Sequence, residues 1–224
     1  MRVYHLLSEE CGLDDLVQQR LKVAEFTDMN DPFELLSVEL SNRANRITVL
    51  AWKNSIMREK GALCFSRDWR SPVLWSHYAD KHKGMCLGFD VPDKLLKEIV
   101  YTKGRSILRA GFFKNGLPAS DHVERFFITK YEHWRYEEEV RLILCLNETI
   151  KEDGHCFKQF DEDLVLKEII LGARWPVGKA RVQSVLGKPS GSVTITKARL
   201  AFKSFSVVTD KRGFQGSRKR LTAH

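Results

Sequence analysis

The chain has 224 residues, 43% hydrophobic and 29% charged, which is enough apolar material for one sizeable core and too much for a disordered chain. Lysine and arginine outnumber aspartate and glutamate by 37 to 29, a net charge of +8, so the surface suits polyanions: RNA, DNA or a cofactor diphosphate. No apolar run approaches the roughly 20 residues of a membrane span, and the N-terminus has neither the apolar stretch nor the cleavage site of a signal peptide. The expectation is a cytoplasmic protein with no membrane partner.

Residues 2–7 read as a strand, and Ser8 as the N-cap of a helix through Gln19. An extended stretch covers 21–26. Asp31 and Pro32 then form a cap and first-turn pair, and Phe33, Leu36, Leu40, Ile47, Leu50 and Met57 fall at helical spacing, which predicts one long or broken helix to about Arg58. A strand follows at 61–66. Ser71-Pro72 opens a helix through Trp75, Tyr78 and Ala79 that stops near Gly84. Met85–Phe89 reads as a buried strand, 92–99 as a short helix and 102–118 as loop; helix returns from Ser120 to about Tyr131. The clearest strand is 137–146, and further strands at 164–171 and 193–202 enclose a helix near 177–186. This irregular mixture predicts a single α+β domain over residues 1–210, followed by a basic tail, 211–224, with Lys211, Arg212, Arg218, Lys219 and Arg220.

Five scattered cysteines (Cys11, Cys64, Cys86, Cys145 and Cys156) without a C-x-x-C pair speak against a disulfide framework and a cysteine-rich zinc site. Cys64, Cys86 and Cys145 sit in apolar runs and read as small core residues. His77 and His82 are five apart and miss the i, i+4 spacing of a helical metal pair, so no metal is expected. P-loop, G-x-G-x-x-G and G-x-S-x-G patterns are missing as well.

Strand alternation places Val140, Leu142, Leu144 and Leu146 on one face of 137–146 and Glu137, Glu139 and Arg141 on the other. Two readings stay open. The charged row is either a solvated face with cross-strand ion pairing, or a pair of carboxylates projecting into a cleft, walled by Trp134 and Tyr136, where they orient a nucleophile and stabilise positive charge. Trp75, Tyr78 and His82 fall on one side of their helix and either anchor it or stack on a planar ring.

In order, Tyr4-His5, Asn30-Asp31-Pro32-Phe33-Glu34, Cys64-Phe65-Ser66, Leu74-Trp75-Ser76-His77-Tyr78-Ala79-Asp80, Lys83-Gly84, Gly88-Phe89 and Trp134-x-Tyr136-Glu137-x-Glu139-x-Arg141 resemble the bacterial family catalogued as domain of unknown function 2971, over roughly residues 3–172. That arrangement is similar to the ADP-ribosyltransferase superfamily. The resemblance implies a mixed, strongly twisted sheet flanked by helices, with NAD as substrate and no metal. It implies that His5, beside Tyr4, holds the nicotinamide side, and that Ser66 matches a central serine or Tyr78 a stacking tyrosine. Glu139 or Glu137 becomes the catalytic glutamate, with Arg141 orienting a carboxylate or meeting the diphosphate. The chain departs from the superfamily in lacking a clear Ser-Thr-Ser segment. The implied activity is ADP-ribosyl transfer to a nucleic acid or protein, as a toxin or antiphage effector with an antitoxin partner. The alternatives are a non-catalytic nucleic-acid-binding (RNA-binding) module and an NAD glycohydrolase.

Overall fold

The computed structural model describes residues 1–108, 112–114, 117–118, 120–176, 179–186 and 192–213. In chain order the elements are β1 (Arg2–Leu7), α1 (Glu9–Gln18), β2 (Arg20–Glu25), α2 (Arg43–Ile56), β3 (Lys60–Ser66), α3 (Pro72–Tyr78), β4 (Met85–Asp90), β5 (Leu96–Glu98), β6 (Val100–Thr102), β7 (Phe113–Lys114), β8 (Leu117–Pro118), α4 (Ser120–Ile128), β9 (Thr129–Tyr131), β10 (Glu139–Cys145), β11 (Ile150–Glu152), β12 (His155–Gln159), β13 (Val165–Leu171), α5 (Ala180–Val185), β14 (Thr194–Leu200) and β15 (Val207–Thr209). Parallel and antiparallel pairings both occur, and the class is α+β. No helix among the described residues is long and apolar enough to cross a membrane. The chain forms two compact units interleaved in sequence: Met1–Val3, Arg20–Asp68 and Val91–Leu164 make the first, and Tyr4–Gln19, Trp69–Asp90 and Val165–His224 the second.

In the first unit the strand order is β11-β12-β2-β3, with β10 against β3 and β5 against β10. Helices α2 and α4 supply Val49, Trp52, Phe126 and Phe127 to one buried cluster with Ala62, Phe26, Leu35 and Val38. Trp52 and Phe126 meet with ring centroids 4.5 Å apart. Ala62 on β3 stands opposite Ile143 on β10, so this cluster covers the sheet face that also carries Cys64, Arg141, Ser66 and Glu139 further along the same two strands.

The long helix expected from Phe33 to Arg58 is instead α2 alone, started by the Asn42 side chain, which accepts from Asn45 N at 3.1 Å. Asp31 caps only a turn: its carboxylate accepts from Phe33 N at 2.9 Å, and Leu35 then takes a left-handed φ of 60°. Phe33 and Ile47, counted on the apolar stripe, are exposed, and Val49 and Trp52 carry the packing. The helix expected at 92–99 is a 3-10 turn at Asp93–Leu95 followed by β5, because pairing with β10 outweighs local propensity. The expected helix to Tyr131 stops at Ile128, where Thr129–Tyr131 pair in parallel with β6.

In the second unit the order is β1-β4-β13-β14-β15, with β13 antiparallel to β4 and parallel to β14. Ser8 caps α1 as expected, accepting from Cys11 N at 3.2 Å. Helix α3 begins at Pro72 and ends at Tyr78, so His82 is not on it. The chain reverses through Asp80, Lys81 and His82 in consecutive left-handed conformations (φ 40°, 53° and 70°), which lays the His82 ring parallel to Trp75 at 6.1 Å. Trp75 is fully buried, and its indole N–H donates to Trp69 O at 2.6 Å, so this aromatic anchors the helix. Of the cysteines expected in the core, Cys86 is buried and Cys64 and Cys145 are half-buried. In the tail, Lys211 and Arg212 are exposed and Arg212 pairs with Asp210, while Arg218, Lys219 and Arg220 lie outside the described residues.

Gly172 donates its N–H to Gly84 O at 2.9 Å, and a Cβ on Gly172 would lie 2.1 Å from the His82 carbonyl oxygen. Backbone, unlike a side-chain tip, has nowhere to retreat. Gly172→Ala should lose at least about 1–3 kcal/mol of stability. Gly104→Ala, where nothing lies within 4 Å, should stay within about 0.5 kcal/mol. Equal thermal melting of the two variants would overturn this account of the crossing.

Candidate functional site

Strand β10 is buried on both faces at its start. Val140 and Leu142 occupy one face; on the other, Glu139 is 5% exposed and Arg141 0%. A charge can sit there only if it is matched. All five N–H donors of Arg141 are used. Nε gives to Glu139 Oε1 at 2.6 Å, Nη1 to Glu34 Oε2 and to Phe127 O, both at 2.9 Å, and Nη2 to Glu34 Oε1 at 2.5 Å and Glu139 Oε2 at 3.2 Å. The Phe127 carbonyl belongs to the last turn of α4, so the guanidinium also caps a helix C-terminus, where positive charge is favoured.

Each partner arrives for a local reason. The Asp31 turn points Phe33 outward and Glu34 and Leu35 inward. Lys130 sits on β9 opposite Tyr101 of β6 and donates to Glu137 Oε2 at 2.6 Å and Glu139 Oε2 at 3.0 Å, with the Trp134 ring 4.8 Å away. Tyr101 accepts the Glu139 backbone N–H at 2.8 Å. Glu137 is not on the strand. It ends a 3-10 helix, Glu132–Glu137, and Glu138 follows with a left-handed φ of 44° before β10 begins. The two carboxylates therefore meet at Lys130 through a chain reversal, not through strand alternation.

Burial alone would raise the Glu139 carboxyl, but the charges and hydrogen bonds of Arg141 and Lys130 outweigh it and hold the group at about 2. Burial likewise opposes the Lys130 charge, and Glu139 and Glu137 reverse that, holding the ammonium well above its ordinary value. Cys64, across from Arg141, is pushed well up by burial and then by Glu139, so it is no thiolate. Burial pushes Tyr101 up to about 12.

Ser66 stands in register with Glu139 on the same face, buried, with Oγ donating to Asp68 O at 2.8 Å and accepting from Asp68 N at 3.2 Å. Thus Ser66, Glu137, Glu139 and Arg141 come together in the first unit. Tyr4, His5 and Tyr78 belong to the second, each half-buried. Tyr4 lies against Gly88, where an added Cβ would be 3.2 Å from its ring. The charged row is ion-paired, as the first of its two readings has it, but it is buried and not solvated.

The first unit also has a cleft of about 290 Å³ that the motifs did not single out. Its walls are the Asp31–Ser37 segment, the Thr102–Arg105 turn and β9. Ser106 ties two of them together, its N–H bonding Ser37 O and its carbonyl accepting from Glu39 N, both at 2.9 Å. Phe33 (54% exposed) and Tyr131 (43% exposed) are partly exposed aromatic rings beside it, and His133 stacks on Tyr131 with ring centroids 4.6 Å apart. The Arg105 guanidinium lies 4.8 Å over the Phe33 ring. Lys103 and Arg105 form no ion pair among the described residues, and Lys130 reaches the cleft from the buried network. The sequence signal was weak: Phe33 was absorbed into a helical stripe and Lys103-Gly104-Arg105 into a loop. Among the described residues no group of three or more His, Cys, Asp or Glu side chains is placed to hold a metal ion.

Compared with protein-family models, with curated proteins and with solved structures, the chain matches none.

Glu139→Gln should remove the anion shared by Arg141 and Lys130 and destabilise the fold by about 3–5 kcal/mol at neutral pH. Because the folded-state pKa is depressed, the parent's advantage is full above the ordinary carboxyl value of 4.5 and disappears as pH falls toward about 2. Melting curves of both proteins across that window test this. Equal melting at pH 7 would mean that the carboxylate is free for chemistry.

Proposed function

We propose that the first unit is a nucleotide-binding module and that its ligand occupies the cleft between Phe33 and Tyr131. One observation carries this reading: partly exposed aromatic rings and two cations with no ion pair among the described residues converge on one preformed concavity. A base stacks on an aromatic face, worth about 1–3 kcal/mol per base. Arg105 and Lys103 meet the phosphate, the guanidinium with paired donors and the ammonium as a point charge. Thr102, whose hydroxyl donates to Gly104 O at 2.9 Å and can still accept, and Thr129 line the cleft beside the place of the sugar. About 290 Å³ lies at the small end of ligand pockets and suits one nucleotide moiety, free or within a polynucleotide, better than a whole dinucleotide. The net charge of +8 raises encounter rates with such anions.

ADP-ribosyl transfer from NAD is a second reading, favoured by one contact. Lys130 borders the cleft and holds both Glu137 and Glu139, so a ligand there lies one side chain from the two carboxylates of the Glu-x-Glu row. Transfer needs an ionised carboxylate against a ribose hydroxyl. Glu139 is ionised, but Arg141 and Lys130 already occupy its oxygens. Binding is therefore the better-supported function.

Calorimetric titration with AMP, NAD and a short single-stranded RNA, alongside an assay of nicotinamide release, separates the readings. AMP should bind, and Phe33→Ala combined with Arg105→Ala should weaken binding by at least about tenfold, as expected for losing one stacking face and one phosphate contact. Melting should be unchanged, since both side chains are exposed. No nicotinamide should be released. Nicotinamide release by the parent protein would replace binding by transfer.

A further inference from the structure

Lys60 and Cys145 face each other across β3 and β10, at the end of the strand pair remote from Glu139 and Ser66. As a directly opposed antiparallel pair their side chains share a face and are held together by the backbone ladder. The Lys60 Nζ lies 2.7 Å from the Cys145 Sγ. An N–H···O bond is ordinarily about 2.9–3.0 Å long, and sulfur is larger than oxygen, so this separation is short for a simple hydrogen bond. It matches the span of two single bonds meeting at one oxygen, whereas a direct N–S bond would require further closure. Both residues are half-buried, sheltered but within reach of a small oxidant.

We propose that Lys60 and Cys145 form a reversible oxygen-bridged cross-link, N–O–S, when the protein meets peroxide. Hydrogen peroxide first converts the Cys145 thiol to a sulfenic acid and releases water. The Lys60 amine and a second peroxide then close the bridge: an N–H bond and the sulfenic O–H bond break, an N–O bond forms, and two further waters leave. In sum, one thiol, one amine and two peroxides give S–O–NH and three waters, with each peroxide accepting two electrons. Dithiol reductant reverses the reaction in two two-electron steps. Attack on sulfur breaks the S–O bond and returns the Cys145 thiol, leaving the oxygen on Lys60 as a hydroxylamine, and a second dithiol reduces the N–O bond to the free amine and water. The bridge fastens the two strands whose other ends carry Ser66, Glu139 and Arg141, making the first unit's sheet redox-responsive.

Intact-mass measurement of the full chain before and after hydrogen peroxide, followed by peptide mapping, tests this. The oxidised parent should gain about 14 Da, one oxygen in and two hydrogens out, and yield a cross-linked peptide joining β3 to β10 that dithiothreitol dissolves. Lys60→Arg and Cys145→Ser should each abolish that peptide. The exposed Cys11 serves as an internal control for unbridged oxidation. Should the map of the parent show oxidised Cys145 with an unmodified Lys60 peptide, or a loss of about 2 Da from a direct N–S bond, the oxygen bridge is wrong, however the variants fold.

Discussion

The Arg141 guanidinium, a full positive charge with no exposed surface, is the constraint on which the first unit depends. It binds together four pieces of chain that are otherwise unrelated: its own strand, the Asp31 turn through Glu34, the end of α4 through Phe127, and, through Glu139, Lys130 on β9. Buried ion pairs are often no more stable than an apolar replacement of the same shape, because desolvation offsets attraction. Their value here is selectivity. A planar fork with five fixed donors accepts few arrangements of two carboxylates and a carbonyl. The apolar cluster around Trp52 tolerates sliding far better than this network does.

Cations at the cleft and the network beneath it fall into two populations. Arg141 and Lys130 are buried and electrostatically satisfied, so they add little to the outward field. Lys103 and Arg105 stand in solvent beside aromatic surface, where a phosphate would find them. Lys130 belongs to both settings, and this makes the cleft more than a surface depression: its floor is electrically continuous with the carboxylates beneath it.

Patterns of local spacing were largely legible. The Ser8 cap, the Pro72 start, and the strands at Lys60–Ser66, Met85–Asp90 and Val165–Leu171 all follow from chemistry within a few residues. What depended on distant partners was not. Nothing near Arg141 announces that its anion comes from Glu34, because capping chemistry accounts for the Asp31 turn by itself. Glu137 looked like a strand residue, since alternation was extended through Glu138, whose left-handed backbone ends the pattern. The Glu-x-Glu-x-Arg row was visible as a set of charges, but its burial was not, because the elements covering it come from the turn at 31–35, α4 and β9. The cleft was hidden for the same reason: Phe33 and Arg105 meet only after β6 pairs with β9 and Val38 bridges Ser106.

The left-handed Glu138 and the Arg141 fork bear on how this unit comes apart. The network is not fully matched until the turn, the helix end and both strands are in place, so a partly assembled version would leave unmatched charge in apolar surroundings. Such intermediates are penalised more steeply than a loosened hydrophobic core, which can stay half-packed. Amide protons of β3, β10 and the end of α4 should therefore exchange with solvent as one cooperative block, without graded fraying from the strand ends. Opening of the buried network and opening of the sheet become a single event.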